Sequence, residues 1–362
     1  MRSDLHVSRE LVDPAWDEFV ETTPGGTYQQ TSMWAQVKSL VDWRPIRVVL
    51  SRDGVIVAGC QALLRPVARL GRIAYVPHGP LVADGDTATL TAVLDAPEEL
   101  VNQERLLYLK LQPPPDSADM AGTLRQRRFV PSDLDTAPRL TMRVDLRRSP
   151  EAMLAAMRAR TRTYIRQAQR RGVVVREGGD KDLPVFYELV EATGRRQEFA
   201  PYPRSYYEGI WRSFHEQGHA HLLLAEYRGE VLSSNLLLGF GESVAYKMGG
   251  WSGHRHDVRP NELLHWAGMQ WGRDHGYRYY DLEGISRAVG EAILAGRDSR
   301  ELAITGTTQF KLGFGGEVTR LPGSYDYARQ PLLRLGLRLI APRLDRLTPI
   351  AQRLLGRQKA TS

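Results

Sequence analysis

The sequence has a single cysteine, Cys60, among its 362 residues. An internal disulfide is therefore excluded, and a reducing, cytoplasmic setting is expected. Cys60 lies in the apolar run 55–64 and reads as a packed core thiol. No window of 18 uncharged apolar residues occurs, so no segment is expected to span a membrane. The first ten residues lack the apolar centre of a secretory signal. Among the histidines, His254 and His256 flank Arg255, but no second cluster completes a ligand set. Neither a metal nor a cofactor is expected. Gly-x-Ser-x-Gly, phosphate-loop and dinucleotide fingerprints are missing, which removes three large enzyme classes. Carboxylates are absent where they would be most useful: six arginines stand between Arg158 and Arg171 with no acid among them.

What is present is ordinary for a globular protein, with 42% hydrophobic and 25% charged residues and length enough for two domains. The net charge of +7 is uneven. Beyond Arg329 there are seven cationic residues against Asp345 alone, which leaves +1 for the first 329 residues. That tail, 331–358, mixes leucines with arginines. It is expected either to pack on the first domain or to lie on an anionic membrane face.

The chain repeats itself. Apolar runs 46–50 and 55–64 flank Asp53-Gly54, a hairpin signal, and a strand 72–76, a helix 87–102 and a strand 106–111 follow. The second half has runs 221–226 and 231–240 around Arg228-Gly229, then a strand 244–248, a helix 261–275 and a strand 277–282. Three matched elements lie 171 to 175 residues apart. Duplication of one unit is the simplest account. The order of hairpin, strand, helix and strand is that of an acetyltransferase-like fold. The fold class is therefore α/β (α+β), with two tandem domains: 1–148, completed by 322–362, and 149–321.

Between the repeats, Ser149-Pro150-Glu151 starts a helix predicted over 149–171, ended by Gly172. Leu154, Met157, Thr161, Ile165 and Ala168 form its buried face. Arg158, Arg162, Arg166 and Arg170 are each one turn apart, and such a row repels itself unless an anion relieves it. A solvated face is the other reading. Farther on, Arg287 to Ala292 fits the Arg-x-x-Gly-x-Ala pattern by which some enzymes hold the pyrophosphate of coenzyme A. Then comes Phe310-Lys311-Leu312-Gly313-Phe314-Gly315-Gly316, one lysine between aromatics beside three glycines. Glycine at that density demands close backbone approach or unusual dihedrals.

Five segments together carry a resemblance. Trp34-x-x-x-Lys38, the helix from Arg160 to Val173, Arg204-Ser205-Tyr206-Tyr207, Pro260-Asn261-Glu262-Leu263-Leu264-x-Trp266 and Phe310-Lys311-x-Gly313-Phe314-Gly315-Gly316 resemble the FemABX family, in its compact form without a coiled-coil arm. The resemblance spans about residues 25–330. It implies two acetyltransferase-like domains that move an aminoacyl group from aminoacyl-tRNA to an amine of a peptidoglycan precursor (lipid II or UDP-MurNAc-peptide), building an interpeptide bridge.

It also implies roles. Lys311 is the catalytic cation, with Phe310 against the terminal adenosine of the tRNA. Lys38 and Arg204 hold the acceptor's diphosphate, while Trp34, Tyr207 and Tyr246 shape its pocket. Arg158, Arg162, Arg166 and Arg170 meet tRNA phosphates. The chain departs from the family at Gln112, where an aspartate is usual, and a neutral amide accepts no proton. That leaves room for a natural-product peptide or amine as acceptor. The 287–292 pattern keeps a coenzyme-A-dependent N-acyltransferase as a further alternative. A monomer is expected, working in the cytoplasm at the inner membrane face.

Overall fold

A computed structural model describes residues 3–328 and 330, apart from 68–70, 116, 118–119 and 133–136. The basic tail 331–362 lies outside the described residues. Two compact units emerge, Met1–Ala137 together with the chain from Pro322, and Pro138–Leu321. The strand Leu140–Asp145 pairs with Tyr279–Gly284 and Glu317–Arg320. The division therefore precedes this strand, at Pro138 and not at Ser149 as the sequence reading had it.

Each unit is a mixed sheet built by the same route. In the first, Arg44–Arg52 and Val55–Val67 form a hairpin turned by Asp53 and Gly54, with φ of 49° and 86°. Both turn residues are in the left-handed region that a two-residue hairpin needs. Gly71–Val76 then pairs antiparallel, and the helix Thr87–Gln103 carries the chain over to the parallel strand Leu106–Leu111. In the second unit, Arg228 and Gly229, at 53° and 81°, turn the hairpin of Ala220–Tyr227 and Glu230–Phe240. Ser243–Trp251, the helix Pro260–Asp274 and Tyr279–Gly284 complete the repeat. The first core gathers Val48, Cys60, Leu94 and Leu111, and the second Val144, Leu237, Leu264, Met269 and Phe314. Burial pushes the Cys60 thiol up to about 12, so it stays protonated and inert.

The units differ at their parallel seams. In the first, pairing runs from Arg72↔Leu106 to Val76↔Leu111, and Gln112 N–H donates to Val76 O at 2.9 Å to prolong it. In the second, only Ser243↔Tyr279, Val244↔Tyr280 and Ala245↔Asp281 are paired, although both strands continue. Two bulges cause this. Lys247 is an extra residue against Leu236–Leu237, and Leu282 with Glu283 opposes Met142 alone. Each bulge bends its strand. The second seam is open, without ladder pairing beyond Ala245 and Asp281, where the first stays paired.

The arginine-rich segment is not one helix. Pro150–Ala156 and Ala159–Arg170 are separate, with Met157 and Arg158 extended at ψ of 153° and 142°. Gly313 to Gly316 packs into the break. Arg158 N–H donates to Gly313 O at 2.9 Å, and a Cβ on Gly315 would stand 2.2 Å from Ala156 O. A Cβ on Gly316 would meet Arg143 O at 2.4 Å. The close approach expected of these glycines is to the chain's own backbone.

Candidate active site

Lys311 is carried on the short helix Gly306–Leu312, which Thr308 anchors by accepting from Ser286 N–H at 3.0 Å. Its Nζ donates to Gly284 O at 2.7 Å, at the end of the bulged strand. The lysine therefore stands at the mouth of the open seam. Burial lowers its proton affinity, while Glu283 and then Asp281 oppose that shift. Asp281 is itself fixed, accepting from Arg143 Nε at 3.1 Å, from Glu283 N–H at 2.7 Å and from Thr141.

Around Lys311 is an aromatic box. Phe310 meets Phe314 edge-on at 5.2 Å and His265 at 5.4 Å, while Tyr246 packs on the other side of His265 at 4.5 Å. His265 is buried, and its Nδ1 is 3.0 Å from the Tyr280 hydroxyl. Burial, and then the Lys311 charge, push its pKa down to about 3, so it is neutral. Burial and then Glu283 raise the Tyr246 phenol, which is neutral too. Lys311, Phe310 and Tyr246 are thus brought together, by a histidine the sequence reading overlooked. His265 occupies the unassigned position of the Pro260-to-Trp266 motif.

The remaining residues fall elsewhere in their units. Trp34 and Lys38 share one helix face, with Lys38 Nζ 4.9 Å from the indole centre and Tyr28 edge-on to Trp34 at 5.3 Å. Thr31 caps that helix by accepting from Trp34 N–H at 3.1 Å. Ser32 turns to Asp17, donating to its carboxylate at 2.6 Å. Arg204 pairs with Glu208 at 2.6 Å on an exposed surface. Tyr207, one turn along, is buried among Phe186, Tyr187 and Tyr206. Burial raises the pKa of its hydroxyl to about 12. Gln112 is buried, with its Oε1 accepting from Tyr75 OH at 2.8 Å.

The arginine row divides. Arg162 donates to the carbonyls of Leu154, Ala155 and Met157, closing the end of the preceding helix, and Arg158 donates to Ser299 Oγ at 3.0 Å. Both are tied into the fold at those contacts, while Arg166 and Arg170 are exposed. The segment Arg287–Leu294 is a helix in which Gly290 lies against Leu140 and Glu291 binds Arg320. It is not a pyrophosphate loop, which removes the motif behind the coenzyme A reading. Among the described residues, no helix is long and apolar enough to cross a membrane.

Comparison with known proteins agrees with this architecture. Residues 11–123 match the profile of the FemAB family, and residues 155–291 that of the acetyltransferase (GNAT) domain. A lipid II:glycine glycyltransferase of Staphylococcus aureus (strain MRSA252) is 24% identical, over 91% of this chain and 94% of the relative. The crystal structure of FemX superposes with a TM-score of 0.80 at 23% identity, covering 92% of this chain and 99% of that one. A tandem GNAT protein from the clavulanic acid biosynthesis pathway gives 0.51 at 16% identity, covering 91% and 99%. A FemAB profile on the first unit, a GNAT profile on the second and relatives aligned over nine-tenths of the chain support membership of the FemABX family of transferases, on a fold of two tandem acetyltransferase-like domains.

Proposed function

We propose that this protein transfers an aminoacyl group from aminoacyl-tRNA to an amine of a peptidoglycan precursor, lipid II or UDP-MurNAc-peptide. The observation that carries this reading is Lys311, a cation half-buried at the mouth of an open strand seam and aimed by the Gly284 carbonyl. In the transfer, the amine nitrogen attacks the ester carbonyl carbon. A C–N bond forms, the C–O bond to the ribose breaks, and the proton lost by the amine goes to the departing ribose oxygen. Negative charge builds on the carbonyl oxygen meanwhile, and one of the two Nζ–H donors not used by Gly284 stabilises it. Gln112 takes no proton, so that transfer is direct or through water. Phe310 offers a face to the terminal adenosine.

Exposed Arg166 and Arg170 serve the tRNA phosphates, with Arg158 and Arg162 shaping the break beneath them. Lys38, over Trp34 in the first unit, and Arg204, one turn from Tyr207 in the second, are each a cation for an acceptor phosphate, while Tyr246 stays with the Lys311 cluster. The relative named as a lipid II:glycine glycyltransferase supports lipid II as the acceptor. Gln112 favours a second reading, in which the same donor serves a natural-product peptide or amine.

The test offers labelled aminoacyl-tRNA or labelled acyl-coenzyme A with UDP-MurNAc-pentapeptide or lipid II. Transfer from tRNA that RNase abolishes, and that falls roughly 10²–10³-fold in Lys311→Ala, supports the reading. Transfer from coenzyme A alone overturns it.

A further inference from the structure

Among the described residues, two aromatic side chains are exposed: Phe199 at 37% and Tyr202 at 44%. Both stand on the short link between the helices Leu183–Arg196 and Arg204–His215. The link is built to hold them there. Phe199 N–H donates to Gly194 O at 3.1 Å, and Glu198, at φ of 55°, takes the left-handed position where glycine is usual. In such a helix ending, the residue at the place of Phe199 commonly packs its apolar side chain on the residue at the place of Gly194. Gly194 has no side chain to meet it, and none would fit, since a Cβ there would stand 2.8 Å from Phe199 O. The phenyl ring is left partly in solvent.

Tyr202 is fixed as well. Pro201 and Pro203 flank it, Tyr187 OH donates to its carbonyl at 3.4 Å, and its ring stacks on buried Tyr206 at 4.2 Å. A loop ordered in advance loses little entropy on docking.

The charge around this loop indicates what it meets. From Glu191 to Glu208 three arginines are balanced by three glutamates, whereas the row from Arg158 to Arg171 has no acid. A polyanion such as RNA favours the row. A neutral aromatic pair suits a boundary between hydrocarbon and water, where a tyrosine keeps its hydroxyl wet and its ring buried. Arg204, the cation assigned to an acceptor phosphate, lies two residues past Tyr202. In lipid II that diphosphate is joined directly to a polyprenyl chain in the bilayer. In UDP-MurNAc-peptide it is joined to a nucleoside in water.

We propose that Phe199 and Tyr202 enter the bilayer surface beside the polyprenyl diphosphate of lipid II, and so favour the lipid-linked acceptor over the nucleotide-linked one. This rests on the aminoacyl reading above.

The experiment uses the full chain and phosphatidylcholine vesicles with or without lipid II. High salt screens the arginines of the tail and leaves apolar contact intact. Wild type should float with the vesicles. Phe199→Ser, which spares the stack of Tyr202 on Tyr206, should bind about 10-fold less, and adding Tyr202→Ser roughly 100-fold less. Phe199→Trp should bind as wild type does. With labelled aminoacyl-tRNA, the rate on vesicle-borne lipid II divided by the rate on UDP-MurNAc-pentapeptide should fall about 10-fold in Phe199→Ser. Because that ratio compares two acceptors on one preparation, a folding defect cancels.

An unchanged ratio, or vesicle binding that salt abolishes and Phe199→Ser leaves intact, overturns the proposal. A wild-type dimer that Phe199→Ser dissolves, with no vesicle binding, would assign the loop to a second copy and overturn it too. A wild type that transfers to either acceptor but never floats sinks this proposal alone. One that floats yet transfers to neither sinks the aminoacyl reading, and the membrane contact of the loop stands.

Discussion

Lys311 and His265 are neighbours that burial pushes toward the neutral form from different starting points. For Lys311 the folded pKa lies below the ordinary 10.5, so the unfolded chain binds more protons between the two values. The charged lysine therefore lowers stability at neutral pH, and stability recovers as pH rises through the folded pKa. Activity follows the opposite course, because the deprotonated amine no longer stabilises an oxyanion. The groups facing it are Glu283 and Asp281 on its partner strand and His265 on the long helix; Tyr246 joins them across His265, and Lys247 is one ion contact farther, through Glu283. With kcat/KM corrected for donor hydrolysis, the rate should fall at alkaline pH through a pKa below 10.5. Lys311→Met should lack that limb and melt above wild type at pH 7; identical melting of the two would contradict the sign. His265, neutral above about 3, contributes stability that is fully present above its ordinary 6.5 and erodes as pH falls toward 3.

The break between Pro150–Ala156 and Ala159–Arg170 decides what the arginines and glycines can do. Local signals were legible. Ser149 caps as expected, accepting from Ala152 N–H at 3.2 Å, and Thr161, Ile165 and Ala168 are buried at the spacing read from the sequence. Periodicity did not reveal the break, because Met157, which lies in it, is buried as a continuous helix would bury it. Its cause is a partner more than a hundred residues away, the Gly313 carbonyl that takes Arg158 N–H. Gly315 has φ of 73° as well as no room for a Cβ, whereas Gly306, at 64°, has open space. Gly315→Ala should therefore destabilise by about 3 kcal/mol or more, and Gly306→Ala by about 1 kcal/mol. Chemical denaturation measures both, and equal costs would show that the backbone contact is unimportant.

At the scale of the molecule, duplication supplies two acetyltransferase-like units, and only one has an open seam. The first stays paired through Gln112, and the far edge of its strand Leu106–Leu111 is held to the returning strand Tyr325–Tyr327 by a buried cluster. Lys110 Nζ lies 2.8 Å from Asp326 Oδ1, with Ser132 and Tyr108 completing the carboxylate and ammonium shells. Removing one partner leaves a buried charge uncompensated. Asp326→Asn should cost about 3–5 kcal/mol, and Lys110→Met with Asp326→Leu should recover most of it. A single mutant as stable as wild type, in denaturant titration, would show that this pair does not hold the strand.

The hairpins and the repeat follow from the sequence alone, because turn chemistry, alternation and helical spacing are written within a few neighbouring residues. The surroundings of Lys311 are not local. Two bulges had to end the pairing of the parallel strands, a histidine from the long helix had to meet Phe310, and Glu283 had to be held left-handed by Asp281. Each depends on register and burial between segments distant in the chain, and only the folded structure decides those.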